Sequence, residues 1–250
     1  MTADRTTAMR ETWETSFEEQ VAREAYNTAP VEALVRNVAY YLRDRFTPDE
    51  RGDLRFAEMG CGAGPNLLWL AEKGIRVTGV DIAPTALALA RRTLERSGHA
   101  DRVDGLVEAS VTDVPLADSS LDGILESCVF QHLGREDRIA AFGEVDRLTR
   151  PGGLFAGHML EKAHTVFQQH ADEQLPDDPG TLQLEEGGSN FYLTNIGLSH
   201  FFDADEVRDL LPGWTVVDPC LTQYELPRSE AEKRGYAHYR QSMLAVYAIK

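Results

Sequence analysis

The spacing of apolar residues changes near residue 54 and separates a helical beginning from a region of alternating strands and helices. From Pro30 onward, apolar side chains recur at intervals of three and four residues, which predicts an amphipathic helix. Proline suits the first helical turn, because an N–H at that position has no helical partner. Thr47-Pro48-Asp49 ends this helix. We therefore expect residues 1–46 to form an N-terminal helical cap.

Beyond this cap, short runs rich in Val, Ile and Leu alternate with amphipathic stretches. Strands are predicted at 54–59, 76–81, 103–109, 121–126 and 154–160, and helices between them at 66–73, 84–97 and about 139–148. Two closing strands are predicted at 214–217 and 244–249, after a helix that Asp203 caps. Strands joined by such helices form right-handed crossovers. The predicted fold class is α/β, with a doubly wound, Rossmann-like and mainly parallel sheet in one domain over residues 1–250.

Residues 161–200 interrupt this alternation. The stretch from Gln168 to Gly188 is polar and acidic, and it contains several prolines and glycines. It is too long for an ordinary connection, so it is either a substrate lid or a mobile insertion. Because it has little apolar surface to bury, we expect residues 164–190 to form a lid that ligands order.

Charge and composition narrow the range of partners. The chain has 25 Lys and Arg against 41 Asp and Glu, and its formal net charge of −16 repels nucleic-acid backbones and anionic membranes. No apolar run approaches the roughly 20 residues of a membrane helix, and the first residues lack the apolar core of a signal peptide. Three cysteines without a C-x-x-C pair fit a reducing compartment. We expect a soluble, cytoplasmic protein that acts without nucleic acid or membrane, and the oligomeric state stays open.

The segment from Phe56 to Asn66 carries the main chemical signal. A strand ends on an acid, Glu58, a G-x-G-x-G turn follows, and a helix begins. Glycines let the backbone approach a ligand where a Cβ would collide, and the free N–H groups of a helix start can bind polar ligand atoms. Asp81 ends the next strand, 21 residues after Gly60, where an acid can accept hydrogen bonds from both ribose hydroxyls. That spacing also suits NAD, but Pro65 stands where G-x-G-x-x-G requires its third glycine, which favours a nucleoside without a pyrophosphate.

Four ordered segments resemble the motifs of class I S-adenosylmethionine-dependent methyltransferases, in their small-molecule branch. They are EMGCGAGPNLLWLAEKG, VTGVDIAPTALALAR, ASVTDVPLADSSLDGILESCVFQHL and EVDRLTRPGGLF. The resemblance covers residues 54–160 and, more loosely, 198–250. It implies a seven-stranded methyltransferase sheet and S-adenosyl-L-methionine as cofactor. It also implies methyl transfer to oxygen, nitrogen or carbon of a small-molecule acceptor, and we expect a bacterial metabolite-tailoring enzyme.

The resemblance also implies which residues contact the cofactor. They are Glu58, Gly60, Cys61, Gly62, Gly64, Asn66, Asp81, Ile82, Ser110, Val111, Glu126, Ser127 and Gln131. The glycine turn would surround the methionine portion, Asp81 would bind the ribose, and Ile82 would pack on the adenine. Ser110 stands where the family commonly has an Asp that holds the adenine amino group. Ser110, the backbone of Val111 or Asp113 could take that role.

The candidate catalytic residues are Glu126, His132 and His200. Glu126 is the first choice because it follows the fourth strand on the ligand-binding edge, although it could equally be a solvated acid. His132 could instead support its loop, and His200 could lie at a helix entry. His158 is expected to be a core histidine. Glu126 and Glu161 could both face a metal ion, but the sequence indicates no third ligand, so no metal site is predicted. Three tyrosines could cap the pocket or only pack: Tyr26, Tyr40 and Tyr41.

Other functions stay open beside methyl transfer. A protein of this fold could bind S-adenosylmethionine for a non-methylating role, as a cyclase, an epimerase or a regulator. An NAD-dependent oxidoreductase is disfavoured by Pro65. An arsenite methyltransferase would use several cysteines, whereas Cys61 lies in the glycine turn and the other two are far apart in sequence. The sequence does not indicate the identity of the acceptor.

Overall fold

A computed structural model describes residues 3–184, 197–218 and 220–250. The helices are α1 Ala3–Ala22, α2 Glu32–Arg45, α3 Pro65–Glu72, α4 Pro84–Arg96, α5 Arg135–Leu148, α6 Thr165–Gln169, α7 Ala204–Leu210 and α8 Arg228–Lys233. The strands are β1 Arg55–Met59, β2 Arg76–Asp81, β3 Val103–Glu108, β4 Leu121–Ser127, β5 Thr149–Leu160, β6 Thr181–Leu184, β7 Gly197–His200, β8 Thr215–Val216, β9 Cys220–Glu225 and β10 Arg240–Ile249.

The central sheet has the order β3-β2-β1-β4-β5-β10-β8, and β9 also pairs with β10. The first five strands pair in parallel, and β10 runs antiparallel to β5. β8 and β9 pair with successive stretches of the long strand β10. The predicted α/β class with a mainly parallel sheet is confirmed, but the described sheet has eight strands where seven were expected, because β9 also pairs with β10. Because β1, β2 and β4 are parallel, their carboxyl ends meet at one edge of the sheet.

The two faces of the sheet bury two apolar clusters. Alternate strand residues point to opposite faces, so Phe155 on β5 packs in one cluster and Phe56 on β1 in the other. A Cβ at Gly123 would lie 2.1 Å from the ring of Phe56, so only glycine fits at this position of β4. Phe56 is fully buried, and its truncation to alanine would cost about 3–5 kcal/mol of stability.

The predicted elements are present, but β5 begins at Thr149, β10 at Arg240 and α5 at Arg135, each several residues before the predicted start. Asp203 caps α7 as expected by accepting a hydrogen bond from the Glu206 amide at 2.9 Å. Several elements were not predicted. They are a separate helix at Ala3–Ala22 inside the expected helical cap, the antiparallel pair β6 and β7, strand β9 and the short helices α6 and α8. None of the helices in the described ranges is long and apolar enough to cross a membrane.

The region of the predicted lid is structured on both sides. Residues 161–184 contain α6 and β6, and Val166, Phe167 and Leu182 are buried there, so this part has more apolar packing than the sequence suggested. β6 pairs with β7, which returns the chain to the domain. Residues 185–196 of the predicted lid lie outside the described residues, and ligand-dependent ordering of this segment stays a prediction.

Candidate cofactor site

The loop between β1 and α3 is tied to the end of β2. The amides of Gly60 and Cys61 both donate to the carbonyl of Val80, at 2.7 and 3.0 Å. Gly62 then turns with a φ of +51°, a left-handed conformation that favours glycine, and its amide donates to Oδ2 of Asp81 at 2.9 Å. Burial raises the pKa of Asp81, while its backbone hydrogen bonds act in the opposite direction. The glycine turn and the acid of β2 therefore form one connected unit.

A cavity of about 250 Å³ opens above this loop. Its wall is formed by the loop itself, by the ends of β2 and β3, by the turn after β4 and by helix α1 with the residues that follow it. The lining residues are Met9, Trp13, Phe17, Gln20, Asn27, Glu58, Gly60, Cys61, Gly62, Ala63, Pro65, Asn66, Asp81, Ile82, Ala109, Ser110, Val111, Ser127, Cys128, Val129, His132 and Leu133.

Helix α1 covers the cavity with Met9, Trp13 and Phe17, which are spaced four residues apart and so lie on one helix face. The ring of Phe17 lies 3.5 Å from the position that a Cβ on Gly62 would take. Polar contacts hold the helix in place. Glu14 accepts from the hydroxyl of Thr85 at 2.6 Å and from its amide at 3.0 Å.

Glu58 is a buried acid in the cavity wall with half of its carboxylate unsatisfied. Its Oε1 accepts from the side-chain amide of Asn66 at 2.6 Å, while Oε2 is buried without a hydrogen-bond partner. Burial raises the pKa of Glu58 to about 8. The carbonyl oxygen of the Asn66 side chain accepts from the Val31 amide at 2.8 Å, just before α2. A ligand that brings a donor or a positive charge would satisfy the free oxygen.

Residues 57–157 match the family described as "Methyltransferase domain". Curated relatives include a ubiquinone biosynthesis O-methyltransferase of Methylocella silvestris, 34% identical over 131 residues, which are 50% of this chain and 47% of that protein. These similarities support a class I S-adenosylmethionine-dependent methyltransferase domain over residues 57–157.

Two further proteins are similar to this chain, one in sequence and one in fold. An S-adenosyl-L-methionine-dependent Diels-Alderase of Neonectria sp. is 28% identical over 188 residues, which are 73% of this chain and 65% of that protein. The chain thus spans between about half and two thirds of these two relatives. The solved structure of the 1,6-didemethyltoxoflavin-N1-methyltransferase of Burkholderia thailandensis superposes with a TM-score of 0.60 at 18% identity, over 100% of this chain and 91% of that one.

Glu126 does not line the cavity of this methyltransferase domain. Its side chain is fully buried, and Oε1 accepts from the amides of Val129 and Phe130 at 2.6 and 3.1 Å. Burial raises the pKa of Glu126 to about 7. The alternative of a solvated acid is therefore wrong, and the placement gives no support to a contact with cofactor or acceptor. Glu126 instead holds the turn that carries Val129 into the cavity wall.

His132 does line the cavity, and its proton can be assigned from its neighbours. Its Nδ1 lies 3.1 Å from the carbonyl oxygen of Leu198, which can only accept, so Nδ1 carries the hydrogen. Burial lowers the pKa of His132 to about 4, so the ring is neutral at pH 7. Nε2 is then an acceptor, and the side-chain amide of Gln131 lies 3.3 Å from it. Gln131 is itself held by the Leu160 amide at 2.9 Å and orients His132 without lining the cavity.

Two other predicted site residues also lie away from the cavity. His200 is fully buried, with Nε2 at 2.8 Å from Glu206 and Nδ1 at 2.7 Å from the hydroxyl of Thr181, so it joins the insertion to α7. Gly64 faces helix α4, because a Cβ there would lie 3.0 Å from Cβ of Ala90. Gly64 thus permits helix packing, and neither residue is placed to contact a ligand in the cavity.

Other candidates divide in the same way. Ser110 and Val111 line the cavity, whereas Asp113 does not. The three tyrosines are not lining residues, and the hydroxyl of Tyr41 donates to the Gly152 carbonyl at 3.0 Å, away from the cavity.

Glu161 accepts from the Ser242 hydroxyl at 2.6 Å. Among the described ranges, no three His, Cys, Asp or Glu side chains cluster as a metal site would require.

Sequence reasoning missed about half of the cavity wall. The lining residues that it did not assign to the site include Met9, Trp13, Phe17, Gln20, Asn27, Cys128, Val129 and Leu133. For α1 a signal was present, since its apolar side chains recur every four residues. That spacing predicts one apolar helix face but not which surface the face covers.

Proposed function

We propose that this chain transfers a methyl group from S-adenosylmethionine to a small-molecule acceptor in the cavity beneath α1. The observation that carries the proposal is the unsatisfied Oε2 of Glu58, a buried oxygen beside a glycine turn that Asp81 holds in place. An amino-acid nucleoside supplies both an ammonium group and ribose hydroxyls, so the residues present fit this cofactor.

Each part of the cofactor has a partner in this proposal. Glu58 would hold the amino group of the methionine portion, and Asp81 would hold the ribose, since a carboxylate that accepts two backbone hydrogen bonds still has free lone pairs. Ile82, Ser110 and Val111 line the cavity, and in this proposal they would contact the adenine. When bound, S-adenosylmethionine supplies a methyl group already activated on a sulfonium.

The chain's own task is then to exclude water, to align the acceptor and to hold a departing proton. Trp13 and Phe17 close one side of the cavity with apolar surface. Where the methylated atom of the acceptor carries a proton, Nε2 of His132 is the cavity nitrogen that would accept it. Burial keeps this imidazole neutral at pH 7, and the proton would replace the hydrogen bond that Nε2 accepts from the Gln131 amide.

The setting of the enzyme is part of the same proposal. Similarity to the methyltransferase that acts on 1,6-didemethyltoxoflavin, and to a structure solved in work on echinomycin biosynthesis, supports a bacterial metabolite-tailoring role. The net charge of −16 supports a reaction in the cytoplasm without nucleic acid or membrane.

Calorimetry with S-adenosylhomocysteine and with adenosine tests the cofactor assignment. Glu58→Gln should weaken S-adenosylhomocysteine binding about tenfold or more, since a charge-assisted contact is lost. Adenosine lacks the amino-acid portion, so its affinity should not change. An equal loss for both ligands would show that Glu58 only supports the loop. Formation of S-adenosylhomocysteine during turnover separates methyl transfer from a non-methylating use of the cofactor.

A further inference from the structure

We propose that the acceptor is an uncharged, flat and largely apolar molecule, one that carries neither carboxylate nor phosphate. The proposal rests on the proposed function and names the substrate class of the same cavity. It follows from the charges of the cavity wall, from what the nearby basic residues already bind, and from the side chains that remain once the cofactor is placed.

The lining side chains that the structure describes include no Lys or Arg. Among the lining residues whose side chains are described, the acids are Glu58 and Asp81, and in the proposed function the cofactor engages both. An anionic acceptor would therefore find no Lys or Arg partner among the described side chains of the wall.

Three basic residues on the neighbouring elements are paired with acids. Arg10 on α1 lies 2.6 Å from Glu108, and Arg138 on α5 forms a buried ion pair with Asp178 at 2.5 Å. Lys162, which follows β5, lies 2.5 Å from Asp203. Recruiting any of these cations to an anionic acceptor would break an existing pair, and for Arg138 would leave a charge buried without a partner.

The rest of the wall suits a flat apolar body with one or two polar atoms. Apolar surface comes from Met9, Trp13, Phe17, Val129 and Leu133, and two of these are aromatic. The ring of Trp13 meets the ring of His132 edge to face, with centroids 5.5 Å apart, so an aromatic surface stands next to the neutral imidazole. Hydrogen bonding in this part of the wall comes only from neutral side chains: Gln20, Asn27, Ser127 and His132.

A matched set of probes tests the proposal on the protein saturated with S-adenosylhomocysteine. Calorimetry would compare 1-naphthol, 1-naphthyl phosphate and 1-naphthylmethylammonium, which share one ring system and differ in charge. We expect 1-naphthol to bind at least tenfold more tightly than either charged probe. Equal or tighter binding of the phosphate or of the ammonium compound would overturn the proposal, and so would the absence of naphthol binding.

Two substitutions at one position then separate charge from shape. Trp13→Arg places a cation in the wall and should shift the naphthol-to-phosphate preference at least tenfold toward the phosphate. Trp13→Leu removes the aromatic ring without adding charge and should weaken both probes equally. Gln20→Lys repeats the charge test if Trp13→Arg does not fold. An unshifted preference in the folded variants would contradict the proposal.

The affinity of the unmodified chain for S-adenosylhomocysteine is measured first and distinguishes the two proposals. If this ligand does not bind, the proposed function fails. If it binds and the charge preference is absent or reversed, only the acceptor class is wrong.

Discussion

The carboxylate of Asp81 accepts a hydrogen bond from the amide of Gly62 at 2.9 Å, across the gap between the end of β2 and the loop after β1. Its second oxygen accepts from the Ala83 amide at 3.0 Å. Asp81 therefore shapes the glycine turn before any ligand arrives, and its replacement will affect both the loop and the ligand.

Asp81→Asn tests this double role with little change in shape. The amide keeps one acceptor oxygen but turns an NH2 group toward one of the two backbone N–H groups. We expect the affinity for S-adenosylhomocysteine to fall about tenfold to a hundredfold, from the loss of a charge-assisted contact worth about 1.5–3 kcal/mol. Calorimetry measures the affinity. Asp101→Asn, at an exposed acid, should leave it unchanged, and equal affinity in both variants would rule out a ligand contact for Asp81.

Gly62→Ala should weaken cofactor binding beyond its effect on the fold. The new Cβ would project beside Phe17 in the cavity, 3.5 Å from its ring, and φ at this position is +51°. Gly98→Ala is the matched control, because Gly98 has a φ of +77° and no neighbouring atom within 4 Å of an added Cβ. Both variants should lose about 1–2 kcal/mol of stability in thermal unfolding. Only Gly62→Ala should also lose affinity for S-adenosylhomocysteine, and a similar loss in Gly98→Ala would point to strain alone.

Glu126→Gln should become more stable relative to the unmodified chain as the pH rises. Burial raises the pKa of Glu126 from 4.5 to about 7, so between these pH values the folded chain holds a proton that the unfolded chain has lost. Stability from this group is therefore fully present below about pH 4.5 and is lost as the pH rises through 7. At about 1.4 kcal/mol per pKa unit, the relative gain of the variant is on the order of 3 kcal/mol.

Thermal or denaturant unfolding at pH 5 and pH 8 measures this difference for Glu126→Gln. Glu95→Gln, at an exposed position on α4, provides the control and should show no such trend. A stability difference independent of pH would mean that Glu126 is ionised in the folded chain throughout this range.

The variants His132→Asn and His132→Gln distinguish the structural role of Nδ1 from the proposed proton-accepting role of Nε2. The Asn amide reaches the place of Nδ1 and can still donate to Leu198, but it offers no acceptor at Nε2. We expect His132→Asn to keep its melting temperature and to lose about a hundredfold or more in kcat, the contribution of a general base. In His132→Gln, the longer side chain reaches the place of Nε2 and loses the hydrogen bond to the Leu198 carbonyl, so the melting temperature of this variant should fall. Full turnover in His132→Asn would exclude a role for Nε2 in proton transfer.

Much of the central sheet follows from the sequence. Strand β2 has its predicted bounds, Arg76–Asp81, because a run of β-branched residues is enclosed between Gly74 and Pro84. The glycine turn and Asp81 line the cavity for the same local reason, since the strand ends and the turn residues fix the backbone there. By contrast, β9 has mixed polarity and mostly exposed side chains, so the sequence there does not predict a strand. The segment is a strand because its backbone pairs with β10.

The misplaced site residues show what a strand end does and does not specify. Glu126 follows β4 at the ligand-binding edge, as predicted, but its side chain turns back to the amides of Val129 and Phe130. His200 likewise reaches Glu206, a contact between an insertion strand and α7. Position along a strand gives the edge of the sheet, whereas the direction of a side chain depends on tertiary partners that the local sequence does not contain.

The bridge that Asn66 makes between Glu58 and Val31 limits how this sequence can vary during evolution. An Asp at position 66 would set a second carboxylate against Glu58, and a Ser could not reach both partners. Loss of the acid at position 58 would remove the need for a donor at position 66. Positions 58 and 66 should therefore covary among relatives, whereas position 31, which is bound through its backbone, is free to drift.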